Sequence, residues 1–307
     1  MDVRDLHLRL LREAQRRLRP SFPEEPPPSD EAELRALEAA FVEEERAAVK
    51  GDAEGAPLDP AAFVAWFESL RETGPGQGDA LFPFLAEEAS LEEMRWFLRQ
   101  EVAGEAGFDD LVALTQLRMP ERAKLELARN YWDEMGRGRA SAMHGPLLAG
   151  LARTVGAEAA VEDTVWESLA LANLLVAMAF DRRYAFHSVG ALGAIELTAP
   201  TRVGYVDRGL ARLGVSKAAR RYFSLHATLD VQHSAAWNRE VMEPLVAADS
   251  RCARAIAEGA LMRLRAGARC FARYRAELRV AIDPPPAAAA GEIRSSRAGA
   301  ESFGPRG

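Results

Sequence analysis

The stretch Arg221–Val246, RYFSLHATLDVQHSAAWNREVMEPLV, decides how the rest of the chain is read. It holds no Gly, and no Pro before Pro244, so the pattern predicts one long helix. His226, Asp230 and His233 fall within roughly 60° of arc on one face of that helix. The whole chain has 5 histidines, and two stand here with a carboxylate between them. Leu225, Leu229, Val231, Trp237, Val241 and Leu245 surround the triplet, so the helix is apolar over much of its circumference and should be internal. Tyr222 and Trp237 extend the triplet's face by one turn each way. Two imidazoles and a carboxylate buried together are costly. A metal ion offsets that cost, since both groups are good ligands for iron, manganese or zinc. The plainer alternative, a solvent-facing helix on which Asp230 braces a histidine, fits the apolar surroundings less well.

Working outward, the pattern predicts helices everywhere. Residues 3–18 make an amphipathic first helix, ended by the proline-rich run PSFPEEPPPSD (20–30). A second helix is expected over 30–49. Asp59 caps a third with Pro60 at its first position, and Ser90-Leu-Glu-Glu is a capping box opening a fourth, in which Glu101 and Glu105 lie in the helix or at its end. Residues 120–135 form a helix broken near Gly136 and Gly138 and resumed from Ser141. A long apolar helical region spans 161–197 and ends before Pro200, followed by a short helix over 203–213, the histidine-bearing helix and a last one over 250–282. Period-two alternation, hairpin signals and internal repeats are missing. The reading is one all-α domain over residues 1–282, with the metal-site core at about 91–245 and a disordered tail at 283–307, where core-forming residues are few.

Composition limits the function. A net charge of −7 over 307 residues lacks the basic footprint of a nucleic-acid binder. Cys252 and Cys270, eighteen apart on one helix, are beyond disulfide reach and read as reduced thiols of a cytoplasmic protein. The charged N-terminal helix is not a secretory leader, and the longest apolar tract, Leu169–Phe180, is too short to span a bilayer. No membrane partner is expected. Self-association as a homodimer is left open.

Two further regions offer ligands. Glu134 and His144 flank the glycine break, roughly 80° apart on a straight helix, so a bulge at the glycines would be needed to bring them close. The alternative there is an exposed turn. Glu196 closes an almost uncharged stretch, GALGAIELTAP, in which Gly190, Ala191, Gly193 and Ala194 let helices approach or leave room for something bulky. A lone Glu in that setting needs a partner. Together Glu134, His144, Glu196, His226, Asp230 and His233 give three histidines and three carboxylates. Six such ligands exceed a four-coordinate zinc site and suit two iron ions with positions open to dioxygen. His187 faces away from Glu196 on a continuous helix and reads as structural. His7, on the charged first helix, is expected to be exposed.

This ordered set resembles the haem-oxygenase-like diiron oxidases and oxygenases, the iron-containing redox enzymes. The resemblance covers about Leu91 to Leu245 and rests on Glu134 with His144, on Glu196, and on the H-x-x-x-D-x-x-H of His226, Asp230 and His233. It implies a haem-oxygenase-like helical bundle, here with extra N-terminal helices, and a pair of irons that activates dioxygen with electrons from an external donor. The reactions it implies are N-oxygenation or oxidative C–C cleavage of an amine, amino acid or fatty acid. It also implies a further carboxylate near the irons, for which Glu101 and Glu105 are the candidates. Haem oxygenase itself is disfavoured, because the only early histidine is His7. A metal-free enzyme or binder on the same fold, similar to thiaminase II, is the alternative. Substrate-pocket candidates are Tyr222, Trp237, Trp166, Leu174 and Met178. No arginine stands out as a clamp for a substrate carboxylate.

Overall fold

The computed structural model describes residues 1–26, 28–104, 107–158 and 160–281. Glu105 and the expected tail at 283–307 lie outside the described residues. Every regular element among the described residues is helical. In chain order they are α1 (Val3–Leu18), α2 (Glu31–Glu54), α3 (Pro60–Thr73), α4 (Leu81–Glu87), α5 (Leu91–Gly104), α6 (Phe108–Thr115), α7 (Glu121–Glu134), α8 (His144–Val155), α9 (Trp166–Phe180), α10 (Ala185–Arg212), α11 (Arg221–Trp237), α12 (Glu243–Ala248) and α13 (Arg251–Leu278).

The local signals explain many of the boundaries. Asp59 accepts from the Ala62 amide at 2.9 Å with Pro60 at the start of α3. At the capping box, Glu93 Oε2 accepts from the Ser90 amide at 2.7 Å, and the Glu93 amide returns a bond to Ser90 Oγ at 3.3 Å. Both cysteines are free and buried.

The centre of the molecule is α10, which packs most extensively against α13 and α11. Its glycines set the distance to α13. A Cβ at Gly190 would lie 1.9 Å from the Ile256 carbonyl oxygen, and one at Gly259 on α13 would lie 1.9 Å from the His187 carbonyl oxygen. Only glycine permits that backbone contact. Beside them, α9 is buried on all sides from Glu167 to Ala179, as a helix apolar around its whole circumference must be. The N-terminal helices α1 and α2 lie against α9, and α2 also against α13.

Three expectations need correction. The apolar region 161–197 is two helices, because Asp181 accepts from the Arg183 amide at 2.9 Å and turns the chain between α9 and α10. Nor does α10 stop before Pro200: it runs through it to Arg212, absorbing the expected short helix. Proline has no N–H to give the carbonyl four residues back, which here belongs to Glu196. Surrounding helices hold α10 together despite that lost bond. The histidine helix, in turn, ends at Trp237 and passes through a π-helical turn, Asn238–Met242, before α12.

Candidate metal centre

All six expected ligands are buried: Glu134 3%, His144 7%, Glu196 2%, His226 6%, Asp230 4% and His233 6% exposed. The glycine break is what brings the first two together. Glu134 is the last residue of α7 and His144 the first of α8, with two tight turns between them in place of a bulged helix. Gly136 has φ +61°, and a Cβ there would lie 2.5 Å from the Ala142 carbonyl carbon, so no other residue fits the turn. The result is His144 Nδ1 at 2.7 Å from Glu134 Oε2.

The ligand atoms form two groups that share one residue. Glu134, His144 and His226 make one group, and Glu134, Glu196 and His233 the other, with the atoms of each within 4.8 Å of one another. The two oxygens of Glu134 point to different groups. Its Oε2 lies 2.7 Å from His144 Nδ1 and 3.6 Å from His226 Nε2, whereas its Oε1 lies 3.8 Å from His233 Nδ1. Asp230 belongs to neither group, yet its carboxyl lines the same cavity and its Oδ1 is buried without a hydrogen-bond partner.

Four of the six are held by a neighbour: His226, His233, Glu196 and His144. His226 Nδ1 donates to the Tyr222 carbonyl oxygen at 2.7 Å, one turn earlier on α11, which turns Nε2 inward to 3.1 Å from His144 Nδ1. Asp133, able only to accept when ionised, receives the Nε2 hydrogen of His233 at 3.2 Å and turns Nδ1 toward the centre. Asn130 donates to Glu196 Oε1 at 2.6 Å. The Tyr222 hydroxyl stands 3.1 Å from His144 Nε2. Asn130 and Asp133 were not recognised as supports in the sequence. Their spacing to Glu134 on α7 was the available signal, but a polar residue one turn from a ligand is common on any exposed helix.

The inward atoms are poorly satisfied. Glu196 Oε2, Asp230 Oδ1 and His233 Nδ1 are all buried and make no well-formed hydrogen bond, Glu196 Oε2 and His233 Nδ1 facing each other at 3.4 Å. Buried polar atoms are rarely left so, and gathered with Glu134 they could hold a cation. The electrostatics agree. Burial raises the Asp230 carboxyl well above its usual range, and the charges of Glu196 and Glu134 push it further. Burial opposes a charge on His233, yet Glu196, Asp133 and Glu134 outweigh it and lift the imidazole to about 10. Glu134, although buried, is held far below the carboxylate range by His144 and His226. Protons thus stand where metal charge fits.

The other expected residues fall elsewhere. Glu101 lines the cavity, but it belongs to neither ligand group, and the charges around it are those of Arg202 and Arg263. His187 Nε2 meets Glu258 Oε2 at 2.9 Å, remote from the ligand groups, as a structural residue would. His7 is not exposed: at 2% it packs edge-on to Phe41 and stacks on Trp166, with its Nδ1 beside Asn173, and burial lowers its pKa to about 4. The charged face of α1 hid a buried stripe.

A cavity of about 140 Å³ adjoins the ligands. Tyr222 lines it, but Trp237, Trp166, Leu174 and Met178 do not. Trp237 is instead sealed against Gly193, its Nε1 donating to the Val189 carbonyl at 3.2 Å. On α9 the wall is Leu171 and Leu175, so Leu174 faces another side and Met178 lies past the cavity. Two arginines, Arg202 and Arg263, also line it, contrary to the expectation that none would stand out.

Fold and centre together define an all-α protein with a buried carboxylate–histidine cluster that could hold metal. The chain belongs to the iron-containing redox enzyme family, whose model matches residues 95–268. It is therefore an oxidoreductase scaffold of the haem-oxygenase-like type. The crystal structure of a CADD-like protein of unknown function from Nostoc punctiforme PCC 73102 superposes with a TM-score of 0.53 at 20% identity, covering 69% of this chain and 95% of that one. That likeness is one of fold. No curated protein matches the sequence. Among the described residues no helix is long and apolar enough to cross a membrane.

Proposed function

We propose that this chain is a non-haem diiron oxidase or oxygenase that uses dioxygen to oxidise a small organic substrate. The observation that supports it best is Glu134, which presents one oxygen to each ligand group and so could serve both metal positions. In this reading His144 Nδ1 and His226 Nε2 would hold one iron, Glu196 and His233 Nδ1 would hold the other, and Asp230 is the remaining inward carboxylate. Three carboxylates against two Fe²⁺ leave a net charge of about +1, small enough to bury. The iron pair supplies the redox chemistry with dioxygen, and an external donor returns the electrons.

The protein's own groups do the positioning. Asp133 keeps the proton on His233 Nε2, and the Tyr222 carbonyl keeps that on His226 Nδ1, so each ring presents its free nitrogen inward. Asn130 fixes the rotation of the Glu196 carboxylate. Phe108 stacks on the His144 ring at 5.8 Å, and Phe223 closes the cavity nearby, which limits water. The Tyr222 hydroxyl, against His144 Nε2, is the polar group positioned to hold a proton beside the reacting space. A metal-free role similar to that of thiaminase II leaves the two buried ligand groups without purpose.

Anaerobic loading with Fe²⁺ tests the proposal. About two irons per chain should bind, and admitting oxygen should then consume it, faster with a reductant present. One metal per chain, or tight zinc in preference to iron, overturns the dinuclear reading.

A further inference from the structure

The cavity has a second pole. Besides the metal ligands it is bordered by Glu101 on α5, Arg202 on α10, and Arg263 and Tyr274 on α13. Arg263 Nε and Nη1 are buried and have no hydrogen-bond partner. Gly267, one turn on, makes the space for that guanidinium, since a Cβ there would lie 2.6 Å from Nη1. Arg202 rests against the Phe271 ring, its guanidinium carbon 5.5 Å from the centroid, and forms no ion pair among the described residues. Burial draws Arg202 down to about 9, and the Arg263 charge adds to that; burial lowers Arg263 as well. Tyr274, 1% exposed, is hydrogen-bonded to Ser168 Oγ at 2.8 Å.

With Glu101 ionised, which burial opposes and the two arginines favour, the pole holds two guanidiniums against one carboxylate, a surplus of one positive charge in a largely apolar chamber. Buried charge without a counter-charge is strongly unfavourable. Arginine forks match planar carboxylates, and the rest of the wall is aromatic and aliphatic, including Phe82, Phe97, Leu171, Leu175 and Val206. A space of about 140 Å³ is of the order that accommodates one aromatic ring.

We infer that Arg202 and Arg263 form an anchor for the carboxylate of a small monocarboxylic acid, whose apolar body fills the chamber between them and the metal ligands. A monoanion brings the pole to neutrality, whereas an α-amino acid, being a zwitterion, leaves the surplus in place. The cavity then orients the substrate: its charged end is fixed at the arginines, and its carbon skeleton is presented to the centre. As a statement about substrate this rests on the diiron reading. As a statement about what the chamber binds it does not.

Calorimetric titration of metal-free protein with 3-phenylpropionate and hexanoate tests it, with 3-phenylpropanamide and phenylalanine as controls. The acids should bind at least tenfold tighter than the amide or the amino acid. Arg202→Gln and Arg263→Gln should each lower acid affinity at least tenfold while Fe²⁺ uptake, measured separately, stays as in the parent. Equal binding of acid and amide by the unaltered protein overturns the inference, as does tighter binding of phenylalanine. These comparisons need no variant, so they stand even if an arginine substitution fails to fold. Two irons bound without acid recognition refutes the anchor alone; acid recognition without iron refutes the diiron reading alone.

Discussion

His7 and His187 are as deeply buried as His144, His226 and His233, yet the two sets differ in what surrounds them. His187 meets Glu258, which is also bound by Arg46 at 2.6 Å, and His7 sits between aromatic rings beside Asn173. Protein groups meet one nitrogen of each, although His187 Nδ1 is buried without a partner. Around the other three, neighbours satisfy the outward nitrogens of His226 and His233, while the inward His233 Nδ1 and Glu196 Oε2 face each other at 3.4 Å and Asp230 Oδ1 has no hydrogen-bond partner. Burial by itself therefore does not mark a metal site. The mark is several imidazole and carboxylate atoms gathered within 4.8 Å of one another.

The sharpest way to break that contrast is to remove one member from each set. Glu134→Ala removes the carboxylate shared by both ligand groups, so iron content by metal analysis should fall from two per chain to near zero. Asp230→Ala, which touches neither group, should lose less iron than Glu134→Ala but more than His187→Ala. The last should keep both irons and instead lower the unfolding free energy by about 1–3 kcal/mol, the cost of a buried partner left behind, read from chemical denaturation. Full iron retention in Glu134→Ala would collapse the distinction between the two sets.

Acidity sharpens it further, with opposite signs for two measurements. In the metal-free chain His233 is raised from its ordinary 6.5 to about 10. Its contribution to stability is thus full below about 6.5 and is lost as pH rises through about 10. Iron must displace that proton, so apparent Fe²⁺ affinity should climb with pH, by up to about tenfold per unit around neutrality. Iron affinity measured anaerobically at several pH values, beside denaturation of metal-free protein, gives both slopes. A flat affinity profile would mean that His233 Nδ1 is not a ligand. His7, lowered to about 4, should contribute to neither slope near neutrality.

How much of this was legible in the sequence follows from how local each signal is. The H-x-x-x-D-x-x-H spacing is set by one helix, and a single turn geometry predicts its shared face. Glu134 with His144 was harder, because their approach depends on the left-handed backbone of Gly136, visible in the sequence only as a break. The run of α10 through Pro200 was misread because proline argues locally against a helix, while the packing that overrides it comes from α11 and α13, distant in the chain. The arginine pole was not legible at all. Arg263 lies in ALMRLRAG beside Arg265, and nothing in that run says which arginine faces the chamber. Its neighbours Arg202 and Glu101 come from two other helices.

The smallest predicted effect probes that pole through a residue that carries no charge. Gly267→Ala places a methyl carbon where Arg263 Nη1 now lies, at 2.6 Å, while its other nearby contact, Phe271 Cζ at 3.7 Å, is ordinary. Alanine is the better helix former by about 1 kcal/mol, so α13 should be no less stable, and denaturation checks that. The guanidinium, being the flexible end of a long side chain, should give way and leave its carboxylate-facing position. Affinity for 3-phenylpropionate should then fall a few-fold, less than in Arg263→Gln, with iron content unchanged. In an Arg263→Gln background the added methyl should have little further effect, since the group it displaces is gone and the two changes act through one contact. If Gly267→Ala weakens acid binding equally in both backgrounds, the glycine acts through the helix and not through Arg263, and the role given to that arginine fails.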